Sequence, residues 1–284
     1  MNAIQVDQEF LNRWVKKPET HDHKYSRGVL GLATGSEEYP GAALIGISAA
    51  LHTGVGMVRY LGPDVVSKMV VTSHPEVVTT GAHVDAWVVG SGMASPLTEE
   101  TLERVIVAQE SGVPVVLDAG GLDRSEEFGP HTVLTPHEGE LRGLAKRLGL
   151  GHEGPLLDLA VVVAKHLGQS VVIKGSITRV VNQQGTVWEL PVATPWLATA
   201  GTGDALAGVM GALCATWHEK ITEEPACLPE IAATAALIHH TAAAYASAMA
   251  AWDADSPSGG PFSVMDVCKQ VSGVIARAVS EPQS

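Results

Sequence analysis

A chain of 284 residues with 18 basic and 31 acidic side chains, a formal charge of −13, lacks the basic stripe that a nucleic-acid surface needs. Hydrophobic residues make up 45% and aromatics only 5%, so a core for one large or two small α/β domains must be packed from Ala, Val, Leu and Gly. Cys214, Cys227 and Cys268 are too widely spaced for a disulfide framework or a zinc pattern, and no ~20-residue apolar run or signal peptide is visible, so the chain reads as cytoplasmic, with no membrane contact.

Residues 28–33 read as a short strand ending in Thr34-Gly35-Ser36, followed by a helix over 41–52 and a strand over 55–61. Another strand, 86–89, runs into the turn Gly90-Ser91-Gly92, with a helix over 98–110 after it. A buried strand over 113–118 ends on an acid, Asp118. Residues 132–134 precede Thr135-Pro136-His137, and helical patterns follow over 138–148 and 156–167. Strands are expected at 171–173, 179–182 and 186–190, the last two as a hairpin across Gln183-Gln184-Gly185. Beyond Asp204 the chain is helical over 206–216, 231–250 and 264–279, with 253–261 a loop between the last two helices.

Strand–helix alternation predicts a mostly parallel sheet covered by helices on both faces. Ligands bind such sheets at the carboxyl ends of the strands. Gly35-Ser36, Gly90-Ser91-Gly92, Asp118, Thr135-Pro136-His137 and Lys174-Gly175 all fall at such ends and should converge.

The most informative stretch is Ala198-Thr199-Ala200-Gly201-Thr202-Gly203-Asp204, which runs into an Ala- and Leu-rich helix. Glycines and threonines at a helix start expose free N–H groups at its positive end, a ready anion site. A carboxylate inside that site repels a bound phosphate. It makes sense as a base that takes a proton from a hydroxyl attacking the phosphoryl group. On this segment alone, a first-turn acid favoured by the helix dipole explains Asp204 equally well. Gly203 is expected to need a positive φ or to face the ligand so closely that a Cβ would clash.

Two histidine pairs take the bland reading. His21-Asp22-His23 is a solvated polar cluster, and His239-His240 point about 100° apart on a helix and cannot easily share one metal, one facing the core and the other a groove. The expected metal is Mg²⁺ arriving with nucleotide phosphates, with no dedicated protein cage.

A resemblance runs through the ordered set His23-Lys24, Ala33-Thr34-Gly35-Ser36, Gly41-Ala42-Ala43, Gly54-Val55-Gly56, Gly90-Ser91-Gly92 and Val116-Leu117-Asp118-Ala119. It continues through Leu134-Thr135-Pro136-His137-Glu138-Gly139-Glu140, Lys174-Gly175-Ser176-Ile177-Thr178 and Gly201-Thr202-Gly203-Asp204-Ala205-Leu206-Ala207-Gly208. Over residues 24–250 the chain resembles the NAD(P)H-hydrate dehydratases of the ribokinase-like superfamily. The last motif is shared by many ribokinase-like kinases, whereas Thr-Pro-His-Glu-Gly-Glu with Lys-Gly-Ser-Ile-Thr is far more specific.

The resemblance implies a single ribokinase-like domain over 1–284, a three-layer α/β/α fold with a mostly parallel central sheet and no N-terminal epimerase domain. It implies a repair lyase that returns the S epimer of NADHX or NADPHX to NADH or NADPH using ADP, or ATP, with ADP the preferred expectation. Asp204 would act on the C6 hydroxyl, while Gly201, Thr202 and Gly203 hold the transferred phosphoryl group. Lys174, Gly175, Ser176, Ile177 and Thr178 would contact the nucleotide, and Ala42, Gly92 and His137 the hydrated cofactor. A homo-oligomer such as a tetramer, and a separate NAD(P)H-hydrate epimerase, are the expected partners.

Two departures stand out. Ser91 replaces the proline that stiffens this turn in many relatives, and Gly120 replaces the second acid of the commoner Asp-Ala-Asp-Ala. The rival readings are a hydroxymethylpyrimidine or hydroxyethylthiazole kinase of the same superfamily, and a silent nucleotide-binding subunit.

Overall fold

The computed structural model describes residues 3–81, 83–93, 97, 99–247 and 259–280. Thr98, the end of the expected helix 231–250 and most of the expected loop 253–261 lie outside the described residues. In chain order the elements are β1 (Ile4–Gln5), α1 (Gln8–Trp14), β2 (Val29–Ala33), α2 (Pro40–Thr53), β3 (Met57–Tyr60), α3 (Asp64–Ser73) and β4 (Ala86–Val89). Then come α4 (Glu99–Glu110), β5 (Val115–Leu117), β6 (Thr132–Leu134), α5 (Glu138–Arg147), α6 (Leu156–Leu167), β7 (Ser170–Ile173), β8 (Arg179–Val181) and β9 (Val187–Glu189). The last four helices are α7 (Thr202–Thr216), α8 (His218–Glu223), α9 (Leu228–Ala246) and α10 (Val264–Ser280).

Among the described residues the strands form one nine-stranded sheet in the order β1-β9-β8-β7-β6-β5-β4-β2-β3. Only β8 runs against the others. Side chains alternate between two buried layers. Leu30, Leu32, Val88 and Val116 face a layer built from α2, α7, α9 and α10. Val29, Ala33, Val89 and Leu117 face one built from α4, α5 and α6. Every residue of β2 is buried, as a strand covered on both faces requires.

The scarcity of aromatics is met by close approach rather than bulk. A Cβ at Gly208 of α7 would strike the carbonyl of Gly46 on α2, and one at Gly211 would strike Val88 and Leu30 on the sheet. Hence α7 is pressed between α2 and the sheet, with all of its residues from Ala205 to Ala215 buried. The expected hairpin forms between β8 and β9, where the Asn182 carboxamide oxygen accepts from the amides of Gln184 and Thr186 at 3.1 and 2.8 Å.

Several boundaries differ from expectation. The strand over 113–118 stops at Leu117, and residues Ala119–Glu127 wind into 3₁₀ turns. β1, α1, α3 and α8 carry no strong periodic signal. In α3 the β-branched run Val65, Val66, Val70 and Val71 lowers helix propensity, and burial of Val66 and Val70 overrides it. α7 begins at Thr202 rather than 206, so Gly203 and Asp204 belong to its first turn. No helix among the described residues is long and apolar enough to cross a membrane.

Candidate active site

The strand ends converge on one carboxylate. Asp118, directly after β5, is 3% exposed. Its Oδ2 accepts from the Ser91 hydroxyl at 2.9 Å, and its Oδ1 from the Thr135 hydroxyl and the Lys174 ammonium at 2.8 and 2.7 Å. The ends of β4, β5, β6 and β7 are thus tied by side chains far apart in sequence. The serine that replaces the expected proline supplies one of these ties. Ala119, next in the chain, holds φ at 45°, a region costly for a residue with a Cβ.

Lys174 also lies 3.6 Å from Glu140. Burial pulls its pKa down, but Asp118, Glu140 and Asp204 together hold it above the ordinary lysine value. Glu140 and His137 close a capping box on α5. The His137 amide donates to Glu140 Oε2 at 2.7 Å, and the Glu140 amide donates to His137 Nδ1 at 3.3 Å. His137 is therefore a helix cap whose remaining ring edge is exposed at the end of β6.

Gly201 caps α7 at φ 91°, the left-handed conformation that glycine accepts without penalty. The Thr202 hydroxyl pins the turn by donating to the carbonyls of Leu197 and Thr199 at 3.0 and 2.9 Å. The amides of Gly203 and Asp204, in the first helical turn, have no intrahelical acceptor and point out of the helix end. The expectation of a positive φ at Gly203 is corrected: the left-handed residue is Gly201, and a Cβ at Gly203 would meet only the Lys174 ammonium, at 3.5 Å.

Asp204 has its pKa raised to about 6, first by burial and then by the Asp118 charge, with Lys174 pulling the other way. Across its backbone lies α2, where a Cβ on Gly46 would stand 3.5 Å from the Asp204 carbonyl. One turn earlier on α2, Ala42 packs on Gly92 so closely that no side chain fits at 92. The two small residues expected at the cofactor are therefore together, on the β2–β4 side of Asp204.

On the other side of Lys174 a cavity of about 560 Å³ opens between the end of β7, the segment 192–198, α7 and α9. Of the expected nucleotide contacts, Lys174, Gly175, Ser176, Thr178, Thr202 and Gly203 line it, whereas Ile177 and Gly201 do not. Ala42, Gly92 and His137 lie outside it. Both His239 and His240 border it, His239 almost wholly buried and His240 partly exposed, close to the expected division between a core and a groove position. Their only sequence signal is polarity on a helix otherwise rich in Ala, Ile and Leu. Thr135 and Glu140 carry no local signal of their roles, because their partners Asp118 and Lys174 are distant in sequence.

The fold agrees with the comparisons. A family profile described as NAD(P)H-hydrate dehydratase matches residues 30–258. The chain belongs to the NAD(P)H-hydrate dehydratase family. It is 36% identical over 210 residues to the bifunctional NAD(P)H-hydrate repair enzyme Nnr of Mycobacterium leprae, covering 70% of this chain and 43% of that protein. It is 30% identical over 227 residues to the ADP-dependent (S)-NAD(P)H-hydrate dehydratase of Xanthomonas campestris, covering 72% of this chain and 78% of that one. The chain thus spans less than half the length of the bifunctional relatives it matches. The ADP/ATP-dependent NAD(P)H-hydrate dehydratase of Bacillus subtilis, co-crystallized with ATP/Mg²⁺, superposes with a TM-score of 0.79 at 24% identity over 98% of this chain and 99% of that one. This family member has the three-layer ribokinase-like fold expected from its motifs.

Proposed function

We propose that the chain is an ADP-driven dehydratase for the S epimer of NADHX and NADPHX. The observation that carries this reading is the position of Asp204. It sits at the open, amide-rich end of α7, between the nucleotide-sized cavity and the close Ala42–Gly92 contact. Acceptor and phosphoryl donor reach it from opposite sides.

In this scheme the Asp204 carboxylate takes the proton of the C6 hydroxyl while that oxygen attacks the terminal phosphorus of ADP. The new O–P bond forms as the bond to the bridging oxygen breaks and AMP leaves. The amides of Gly203 and Asp204 and the Lys174 ammonium face the charge that develops on the phosphoryl oxygens. A pKa near 6 leaves Asp204 ionised at neutral pH yet more basic than an ordinary carboxylate, as a general base requires. The ring nitrogen lone pair then expels phosphate from C6, and loss of a C5 proton restores the dihydronicotinamide. Phosphorylation converts hydroxide, a poor leaving group, into phosphate, a good one.

Among the described residues no cluster of three or more His, Cys, Asp or Glu side chains forms a metal cage. In this reading Mg²⁺ arrives with the nucleotide, held by phosphate oxygens and water as part of the co-substrate. A homo-oligomeric state and functional cooperation with an NAD(P)H-hydrate epimerase activity complete the proposal.

Labelling the C6 hydroxyl with ¹⁸O tests the scheme. Label recovered in inorganic phosphate is the expected result. Label released as water would exclude a phosphorylated intermediate, and a stable labelled phosphate ester would identify a kinase instead.

A further inference from the structure

We infer that Asp118 is a positioning residue: it holds the Lys174 ammonium at the phosphoryl site and off the Asp204 carboxylate, so that the base stays free. The inference rests on the proposed dehydration and adds to it a residue with no direct part in the scheme.

Both oxygens of the Asp118 carboxylate are engaged, Oδ2 by Ser91 and Oδ1 by Thr135 and Lys174. Asp118, Ser91 and Thr135 are all almost wholly buried. The backbone is fixed as well. The Asp118 amide donates to the Val89 carbonyl at 3.0 Å, the Gly121 amide donates to the Asp118 carbonyl at 2.9 Å, and a Cβ on Gly90 would strike that carbonyl. A carboxylate so enclosed presents no face to a substrate and acts through its partners. Of these three, only Lys174 is charged and borders the 560 Å³ cavity.

Lysine is a compact point charge on a flexible stem, and it takes whichever counterion is nearest. Three carboxylates surround this one, at Asp118, Glu140 and Asp204. Among the described residues its ion pairs go to Asp118 at 2.7 Å and Glu140 at 3.6 Å, not to Asp204. Glu140 is also engaged elsewhere, accepting from the His137 amide at 2.7 Å. The ammonium so held stands 3.5 Å from where a Cβ on Gly203 would lie, beside the first-turn amides of α7. With Asp118 neutralised, the carboxylates left to the ammonium are Glu140 and Asp204. A direct pair with Asp204 would occupy the oxygens that take the proton and draw the cation from the phosphates. Asp118 also favours the base by its own charge, which raises the Asp204 pKa where Lys174 lowers it.

A double-mutant cycle in the full chain, assayed with S-NADPHX, ADP and Mg²⁺, tests the assignment. Asp118→Asn keeps the size of the side chain and removes its charge. With Lys174 present it should lower kcat by about tenfold or more, with KM for the hydrated cofactor within about twofold. In a Lys174→Ala background, where no ammonium is left to misplace, it should cost no more than about twofold. The acid limb of kcat/KM should move to lower pH in Asp118→Asn, opposite to the shift caused by Lys174→Ala. Titration of the Asp204 carboxyl carbon by NMR in the ligand-free chain reads the same pair of shifts without turnover. A readout on the wild type, independent of whether any variant folds, is the scalar coupling across the ammonium hydrogen bond. It should link Lys174 Nζ to Cγ of Asp118 and not to Cγ of Asp204. Equal losses in both backgrounds, as when Asp118 serves only the fold or the metal, would overturn the inference. So would a coupling to Asp204, or an Asp204 titration unmoved by Asp118→Asn. A wild type without dehydratase activity that still shows the expected coupling and titrations would remove the proposed reaction and leave the placement of Lys174 standing.

Discussion

Asp204 works against the stability of the fold it serves. Its pKa is about 6 in the folded chain and near 3.8 when unfolded, so between these values the folded state holds a proton that the unfolded state has lost. Folding is then penalised as pH rises through that window; the penalty is absent below pH 4 and fully present above pH 6. Asp204→Asn should therefore stabilise the protein at pH 7, by on the order of 1–3 kcal/mol, with no gain at pH 4. The same variant should bind nucleotide while losing dehydration by about 10²–10⁴-fold, the usual contribution of a general base. Denaturant titrations at the two pH values, alongside the rate, check both halves. A near-wild-type rate would return Asp204 to the role of a first-turn acid. Lys174 opposes the rise in the Asp204 pKa, so Lys174→Ala should move the acid limb of the kcat/KM profile to higher pH. It should also weaken ADP more than the hydrated cofactor. An unmoved acid limb would show that the Lys174 charge does not reach Asp204.

At the scale of elements, the N-terminus of α7 joins the anion site to the core. Gly203→Val should fold, because a Cβ there meets only the Lys174 ammonium, at an ordinary contact distance of 3.5 Å, yet it should lose the ADP-induced rise in Tm that mass action confers on the wild type. A full ligand shift in this variant would place the phosphate elsewhere. Gly208→Val should behave in the opposite sense: it forces α7 off the Gly46 backbone of α2 and should cost about 3 kcal/mol or more, with no dependence on ligand. Urea titration measures this directly, and a change within about 0.5 kcal/mol, as at an ordinary surface site, would contradict the packing described.

The core strands and the helices that sandwich them were legible because burial on both faces produces short apolar runs, and turn residues mark where those runs end. α3 was not, since its valines suit a strand and only its packing makes it a helix. The Gly201–Asp204 turn and Lys174 were legible as compact motifs. The gathering of Ser91, Asp118, Thr135 and Lys174 at neighbouring strand ends was legible too, but not their pairing around Asp118, which needs β4, β5, β6 and β7 side by side.

At the scale of the whole molecule, an acidic chain handles polyanionic ligands by confining favourable charge to one end of the sheet. A net charge of −13 repels nucleotides and dinucleotides at long range, so the free amides of α7 and the Lys174 ammonium must supply local attraction. Moderate salt should consequently raise the association rate of ADP by screening that repulsion, whereas net attraction would give the reverse; stopped-flow binding at several ionic strengths distinguishes the two. The layout of the molecule places a nucleotide cavity and a close α2–β4 contact on either side of one carboxylate, and its central claim is that phosphoryl transfer between them drives a dehydration. Incubation of purified chain with S-NADPHX, ADP and Mg²⁺, following the reduced-nicotinamide absorbance together with released phosphate, tests that claim most directly. The account predicts that absorbance returns only with nucleotide present, with one phosphate released per NADPH formed. Recovery without nucleotide, or phosphate uptake into a stable ester with no gain in absorbance, would contradict it.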